Sequence, residues 1–66
     1  MVLKTWDCPG GEQVTVINTD TFGYEVTVWD GTDLNILPSE TYTGARKLGR
    51  RLAAGFVKDN LNALRA

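Results

Sequence analysis

The chain has no histidine, one cysteine and only two prolines. Without an imidazole there is no histidine base for a nucleophilic triad and no histidine ligand for zinc or haem. A single cysteine closes no disulfide framework, and a lone thiol fits a reducing compartment. No apolar run approaches the ~18 residues that a membrane span needs. Met1–Asp7 also lacks the basic start and apolar stretch of a secretory leader. These absences lead to the expectation of a cytoplasmic protein with no cofactor, no metal and no membrane contact.

Sixty-six residues allow one domain, taken here as 1–66. In so small a scaffold, burial at about 25 cal/mol per Å² roughly cancels about 1.5 kcal/mol of ordering entropy per residue. Extra surface buried against a partner, a second copy included, would therefore matter. Size alone also suggests a small open reading frame of the accessory, phage or mobile-element kind.

The net charge of −1 conceals an uneven distribution. Residues 1–42 hold seven acids against Lys4, whereas residues 43–66 hold six bases against Asp59. Such asymmetry hints at contact with nucleic acid or with an acidic protein surface, and a self-complementary oligomer could use it too.

Turn signals divide the chain at Cys8-Pro9-Gly10-Gly11, Thr19–Gly23, Asp30-Gly31-Thr32-Asp33 and Pro38-Ser39. The short runs between them are rich in Val, Ile, Thr and Trp and read as strands. Pairing Val16 with Val26 sets Val14 opposite Val28, Thr15 opposite Thr27 and Asn18 opposite Tyr24. All four valines then share one face, and a slip by one would turn every one of them over. Placing Leu34 and Ile36 on that same face calls for Val28 opposite Ile36, with Gly31-Thr32-Asp33 as the loop. Val2–Trp6 is a candidate fourth strand at the edge.

After Pro38 the period changes to about 3.6. Ala45, Leu48, Leu52, Phe56, Ala63 and Leu64, with Gly49, Ala53, Val57 and Leu61, form one apolar helical stripe. Thr43 is the first choice of N-cap, ahead of Ser39 and Thr41. Gly49 lies on the stripe and would let the helix sit close to the sheet. The expected fold class is therefore α+β: a small antiparallel sheet of three strands, or four with the N-terminal one, and a C-terminal amphipathic helix on one face.

One helix covers one face. By alternation the other face should show Thr15, Ile17, Glu25, Thr27, Trp29, Asn35 and Leu37. A tryptophan among threonines is a candidate binding hot spot, unless Trp6 or the N-terminal segment half covers it. The second surface is basic: Arg46, Lys47, Arg50 and Arg51, continued by Lys58, lie away from the apolar stripe. They could track phosphates or simply meet solvent. Cys8 lacks a base and reads as a structural thiol. Gly10-Gly11 is a turn rather than a phosphate loop, and Asp30 and Asp33 read as turn chemistry.

The order of three strands then a helix resembles small DNA-binding domains of plant transcription factors and of some integrase arms. That resemblance is of element order alone. It implies a sheet in the major groove presenting arginines and aromatics. Here the matching strand positions hold Thr15, Thr27 and Glu25, and the arginines lie on the helix.

The leading expectation is a non-catalytic module that binds and modulates a larger protein machine through Thr15, Ile17, Glu25, Thr27, Trp29 and Leu37, or through a sheet edge. One alternative is a nucleic-acid-binding module using Arg46, Lys47, Arg50, Arg51 and Lys58. Another is a structural homo-oligomer, a homodimer in its simplest form, in which acidic sheet meets basic helix.

Overall fold

The computed structural model describes residues 1–20 and 23–61, together with the backbone of the helix as far as Arg65. Four strands form one antiparallel sheet in chain order: β1 (Val2–Asp7), β2 (Gln13–Thr19), β3 (Gly23–Trp29) and β4 (Leu34–Ser39). A single helix, α1 (Tyr42–Arg65), follows. The N-terminal segment is thus a full edge strand, and the fold is the α+β arrangement expected from the period change at Pro38.

The β2–β3 register is the one that alternation demands, with Val14 opposite Val28 and Val16 opposite Val26. Val14, Val16 and Val26 have no exposed surface, and Val28, Ala45, Ala53 and Cys8 are buried with them. Fully burying a valine is worth about 1.5–3 kcal/mol, so these strands anchor the domain. Leu3, Trp6, Tyr24, Tyr42, Leu48, Leu52 and Phe56 close around that centre.

β4 departs from the expected register by one residue. Trp29 faces Leu34, Thr27 faces Ile36, Val28 faces Asn35 and Val26 faces Leu37. The cause lies in the turn. The Asp30 carboxylate accepts hydrogen bonds from the backbone N–H groups of Thr32 and Asp33 at 2.8 and 2.7 Å. The Asp30 N–H donates to the Asp33 carbonyl, and Gly31 supplies the positive φ of 98° that closes the turn. Asp30 therefore faces Asp33, and the turn is tighter than a Gly31-Thr32-Asp33 loop. Because β4 is apolar at 34, 36 and 37, either register puts an apolar residue beneath the helix, so the turn decides.

The helix begins at Tyr42, two residues earlier than a cap at Thr43 would allow. Thr41 is the N-cap: its hydroxyl accepts the Gly44 N–H at 3.0 Å, and its carbonyl accepts the Ala45 N–H. The Ser39 hydroxyl, another candidate, instead donates to the Thr41 carbonyl.

α1 packs chiefly on the central strands β2 and β3 and also reaches β1 and the turn after it. Trp6 packs on Gly49, the Cys8 thiol points at the Ala53 carbonyl, and Asn60 donates to the Glu12 carboxylate. At about 1.5 Å per residue, a 24-residue helix is about 36 Å long. A strand of six or seven residues spans only about 20–23 Å. The helix therefore outruns the sheet, and Val57 and Leu61, assigned to the buried stripe by spacing, are exposed. The side chains of Ala63 and Leu64, and the turn residues Thr21 and Phe22, lie outside the described residues.

Candidate functional site

The face of the sheet without the helix is built of three cross-strand rows. They read Asp7–Gln13–Trp29–Leu34, then Thr5–Thr15–Thr27–Ile36, then Val2–Ile17–Glu25–Pro38. The one-residue shift of β4 has changed this surface. Leu37 and Asn35, expected here, belong by register to the helix side, opposite Val26 and Val28. Leu34 and Ile36, expected in the core, take their place and are 60% and 55% exposed. Thr15, Ile17, Glu25, Thr27 and Trp29 lie where alternation put them.

Trp29 is 39% exposed and sits directly opposite Leu34. Trp6 does not cover it. Trp6 pairs with Val14, which turns its ring to the other side of the sheet and onto the helix. The Thr27 hydroxyl donates to the Thr15 carbonyl, and the Gln13 side chain donates to the Asp7 carboxylate at 2.8 Å. These bonds tie β1, β2 and β3 together around the tryptophan. The only charges in the three rows are Asp7 and Glu25, with Asp30 and Asp33 in the adjoining turn. One half of the face is apolar and its charge is all negative. β4, at the edge of the sheet, has no charged side chain from Leu34 to Ser39. Edge strands are commonly guarded by charge or proline; this one has no charge, and its one guard is Pro38 near its end.

The second surface lies on the other side of the sheet. A groove of about 360 Å³ runs between β1 and the first half of α1, lined by Lys4, Trp6, Tyr42, Thr43, Arg46, Lys47 and Arg50. Arg46 and Arg50 are one helical turn apart on the flank next to β1. Arg51 and Lys58, grouped with them by the sequence, are exposed but take no part in the lining. Lys4 is the member that sequence reasoning missed. The regular register of β1, which sets Trp6 opposite Val14, also sets Lys4 opposite Val16 and therefore on the helix side; the irregularity falls beyond it, between Lys4 and Val2. The Lys4 ammonium lies 5.6 Å from the centre of the Trp6 ring, and the Arg46 guanidinium lies 5.7 Å from that of Tyr42. Tyr42 leans in turn on Tyr24, with ring centres 5.8 Å apart. The signal that could have found Lys4 was the period-two match of Lys4 and Trp6 with Val16 and Val14 across the Pro9-Gly10-Gly11 turn.

Cys8 is buried beneath the helix. Burial pushes its thiol above the ordinary value of 9.0, and the carboxylates of Glu12 and Asp7 push it the same way. The group is held as a neutral thiol rather than as a thiolate nucleophile. Asp30 is held below the ordinary carboxyl value by the N–H groups of Asp33 and Thr32. That shift reflects the turn and not an acid–base site. Among the described residues no three of His, Cys, Asp and Glu come together to hold a metal ion, and no helix is long and apolar enough to cross a membrane.

No family model, no curated protein and no solved structure matches the chain.

Proposed function

We propose that the chain is a non-catalytic binding module whose uncovered sheet face and β4 edge take a protein segment with apolar side chains framed by basic ones. The observation that carries this reading is the β4 register. It sets Leu34 beside Trp29 and brings Ile36 into the next row, on the face without the helix. Tryptophan within an apolar surround is the residue type most often found to dominate binding energy. The charge on this face is negative throughout, which selects a basic rim on the partner. The uncharged stretch of β4 ahead of Pro38 offers backbone donors and acceptors to an added strand, so main-chain hydrogen bonds would give affinity and the Trp29–Leu34 row would give selectivity.

The test uses two short extended peptides, one alternating valine with lysine and the other valine with glutamate. The lysine peptide should bind and quench or shift the emission of Trp29, the glutamate peptide should not, and Trp29→Ala should lose the interaction while keeping its fold by circular dichroism. Equal binding of both peptides, binding of neither, or full binding by Trp29→Ala would overturn the reading. A mass that rises with protein concentration and falls on Ile36→Lys would instead make a second copy the occupant of this face, and would overturn the foreign segment.

A further inference from the structure

We propose that the groove between β1 and α1 binds the phosphates of a single-stranded nucleic acid. This inference is independent of the sheet face, which lies on the other side of the molecule. It begins with the lining. Lys4, Arg46, Lys47 and Arg50 converge on one concavity from two elements that are remote in sequence, and no carboxylate lines it. A solvated helix face would need only the helix. Here β1 contributes a cation as well, since its pairing sets Lys4 on the same side as Trp6.

The partners of these cations are the second point. Lys4 rests over Trp6 and Arg46 over Tyr42. Such contacts place a cation without neutralising it, so among the described residues an incoming phosphate breaks no ion pair of Lys4 or Arg46. The net charge of −1 does not oppose this. None of the eight acids lines the groove: Asp7 and Glu25 belong to the opposite face, Asp30 and Asp33 to the turn at the other edge of the sheet, and Glu12, Asp20, Glu40 and Asp59 are not among its lining residues. At physiological ionic strength charges beyond about 8 Å are largely screened.

The geometry selects the ligand class. Arginines four residues apart on a helix have Cβ atoms about 5–6 Å apart, comparable with the step between successive phosphates of one strand. A guanidinium also matches phosphate in a bidentate manner. Trp6 and Tyr42 are half-buried and leave only part of their rings in the groove; an unpaired base can turn out to pack against that part, whereas the closed stack of a duplex cannot.

The experiment measures binding of a labelled single-stranded oligonucleotide by anisotropy, against the duplex of the same sequence, a polyglutamate peptide and inorganic phosphate. With three to four phosphates neutralised, affinity should fall roughly 20- to 50-fold between about 50 and 200 mM salt. Arg46→Ala with Arg50→Ala should abolish most of that dependence. Lys4→Gln should weaken binding and flatten the salt slope although it is far from the helix in sequence. Arg51→Ala with Lys58→Ala should retain the wild-type slope, since neither side chain lines the groove. All five positions are exposed, and circular dichroism checks that each variant folds. The proposal is overturned if the strand does not bind, if polyglutamate or the duplex binds as tightly as the strand, or if the Arg51/Lys58 variant loses as much as the Arg46/Arg50 variant. Competition by inorganic phosphate at equal concentration would also overturn it, because a single-phosphate site would then be indicated.

Discussion

Gly49 and Gly55 sit in the same helix, and the same substitution should have opposite effects at the two positions. Alanine in place of glycine in a helix interior gains about 0.8–1 kcal/mol from propensity alone. At Gly55 a Cβ would meet nothing within 4 Å, so Gly55→Ala should show that gain nearly in full. At Gly49 a Cβ would stand 2.6 Å from Cζ3 of Trp6, 3.0 Å from Cη2 and 3.4 Å from Cε3. The indole is a rigid plate set between helix and sheet, so it can yield only by tilting or by lifting the helix. Overpacking of this kind costs typically 1–3 kcal/mol, and three ring carbons in or near collision put the cost at the upper end. The net effect of Gly49→Ala should therefore be a loss of about 1–2 kcal/mol. Urea unfolding followed by far-ultraviolet circular dichroism would read both values. In a domain of this size, 1 kcal/mol corresponds to a shift of about 4–8 °C in Tm. Trp6→Leu in the Gly49→Ala background should recover part of the loss, and a double-mutant cycle would report that coupling directly. If Gly49→Ala stabilised the protein as much as Gly55→Ala does, the close seat of Trp6 on the helix, and with it the wall of the groove, would be refuted.

Two further outcomes follow from burial. Val26→Ala should cost about 2 kcal/mol at a fully buried site, whereas Ile36→Thr should cost no more than about 0.5 kcal/mol, as surface changes do; equal losses in chemical denaturation would restore the register that puts Ile36 beneath the helix. The Cys8 thiol is raised in the folded state, so its contribution is fully present below the ordinary thiol range and is lost as pH climbs through the raised value. Stability should fall over that alkaline window in the wild type and less so in Cys8→Ala, and native alkylation near neutral pH should be slow against the unfolded chain; fast native labelling would contradict the buried, neutral thiol.

The sheet and helix were legible where one signal acted alone. In β2 and β3 the valines alternate, and only a register of the right parity turns Val14, Val16, Val26 and Val28 to one face; the pairing adopted sets them directly opposite one another. The stripe through Ala45, Leu48, Leu52, Ala53 and Phe56 likewise has one solution. Reading failed where two signals competed. β4 carries apolar residues at both parities, and the outcome was set by the Asp30 carboxylate capturing two N–H groups, a preference of the turn rather than of the strand. Thr41, Thr43 and Ser39 are chemically equivalent caps, and hydrogen-bond geometry selects among them. Periodicity extended the buried stripe to Val57 and Leu61 because it carries no information on where the sheet ends beneath a long helix. The candidate sites followed the same pattern. Trp29 and its threonines were visible from alternation, but the exposure of Leu34 and Ile36 was not. The basic cluster was visible as a helix face, while its closure into a groove depended on Lys4 and on the pairing of β1.

The two tryptophans lie one on each surface, which makes their indole N–H resonances direct reporters. The decisive measurement is a ¹H–¹⁵N spectrum of the full chain, with the indole signals assigned by Trp6→Phe and Trp29→Phe, titrated first with the single-stranded oligonucleotide and then with the valine–lysine peptide. The account predicts that the oligonucleotide moves the Trp6 indole and leaves Trp29 in place, and that the peptide moves Trp29 and leaves Trp6 in place. Movement of the same indole by both ligands, or of Trp29 by the oligonucleotide, would contradict the assignment of two separate surfaces to the two sides of the sheet.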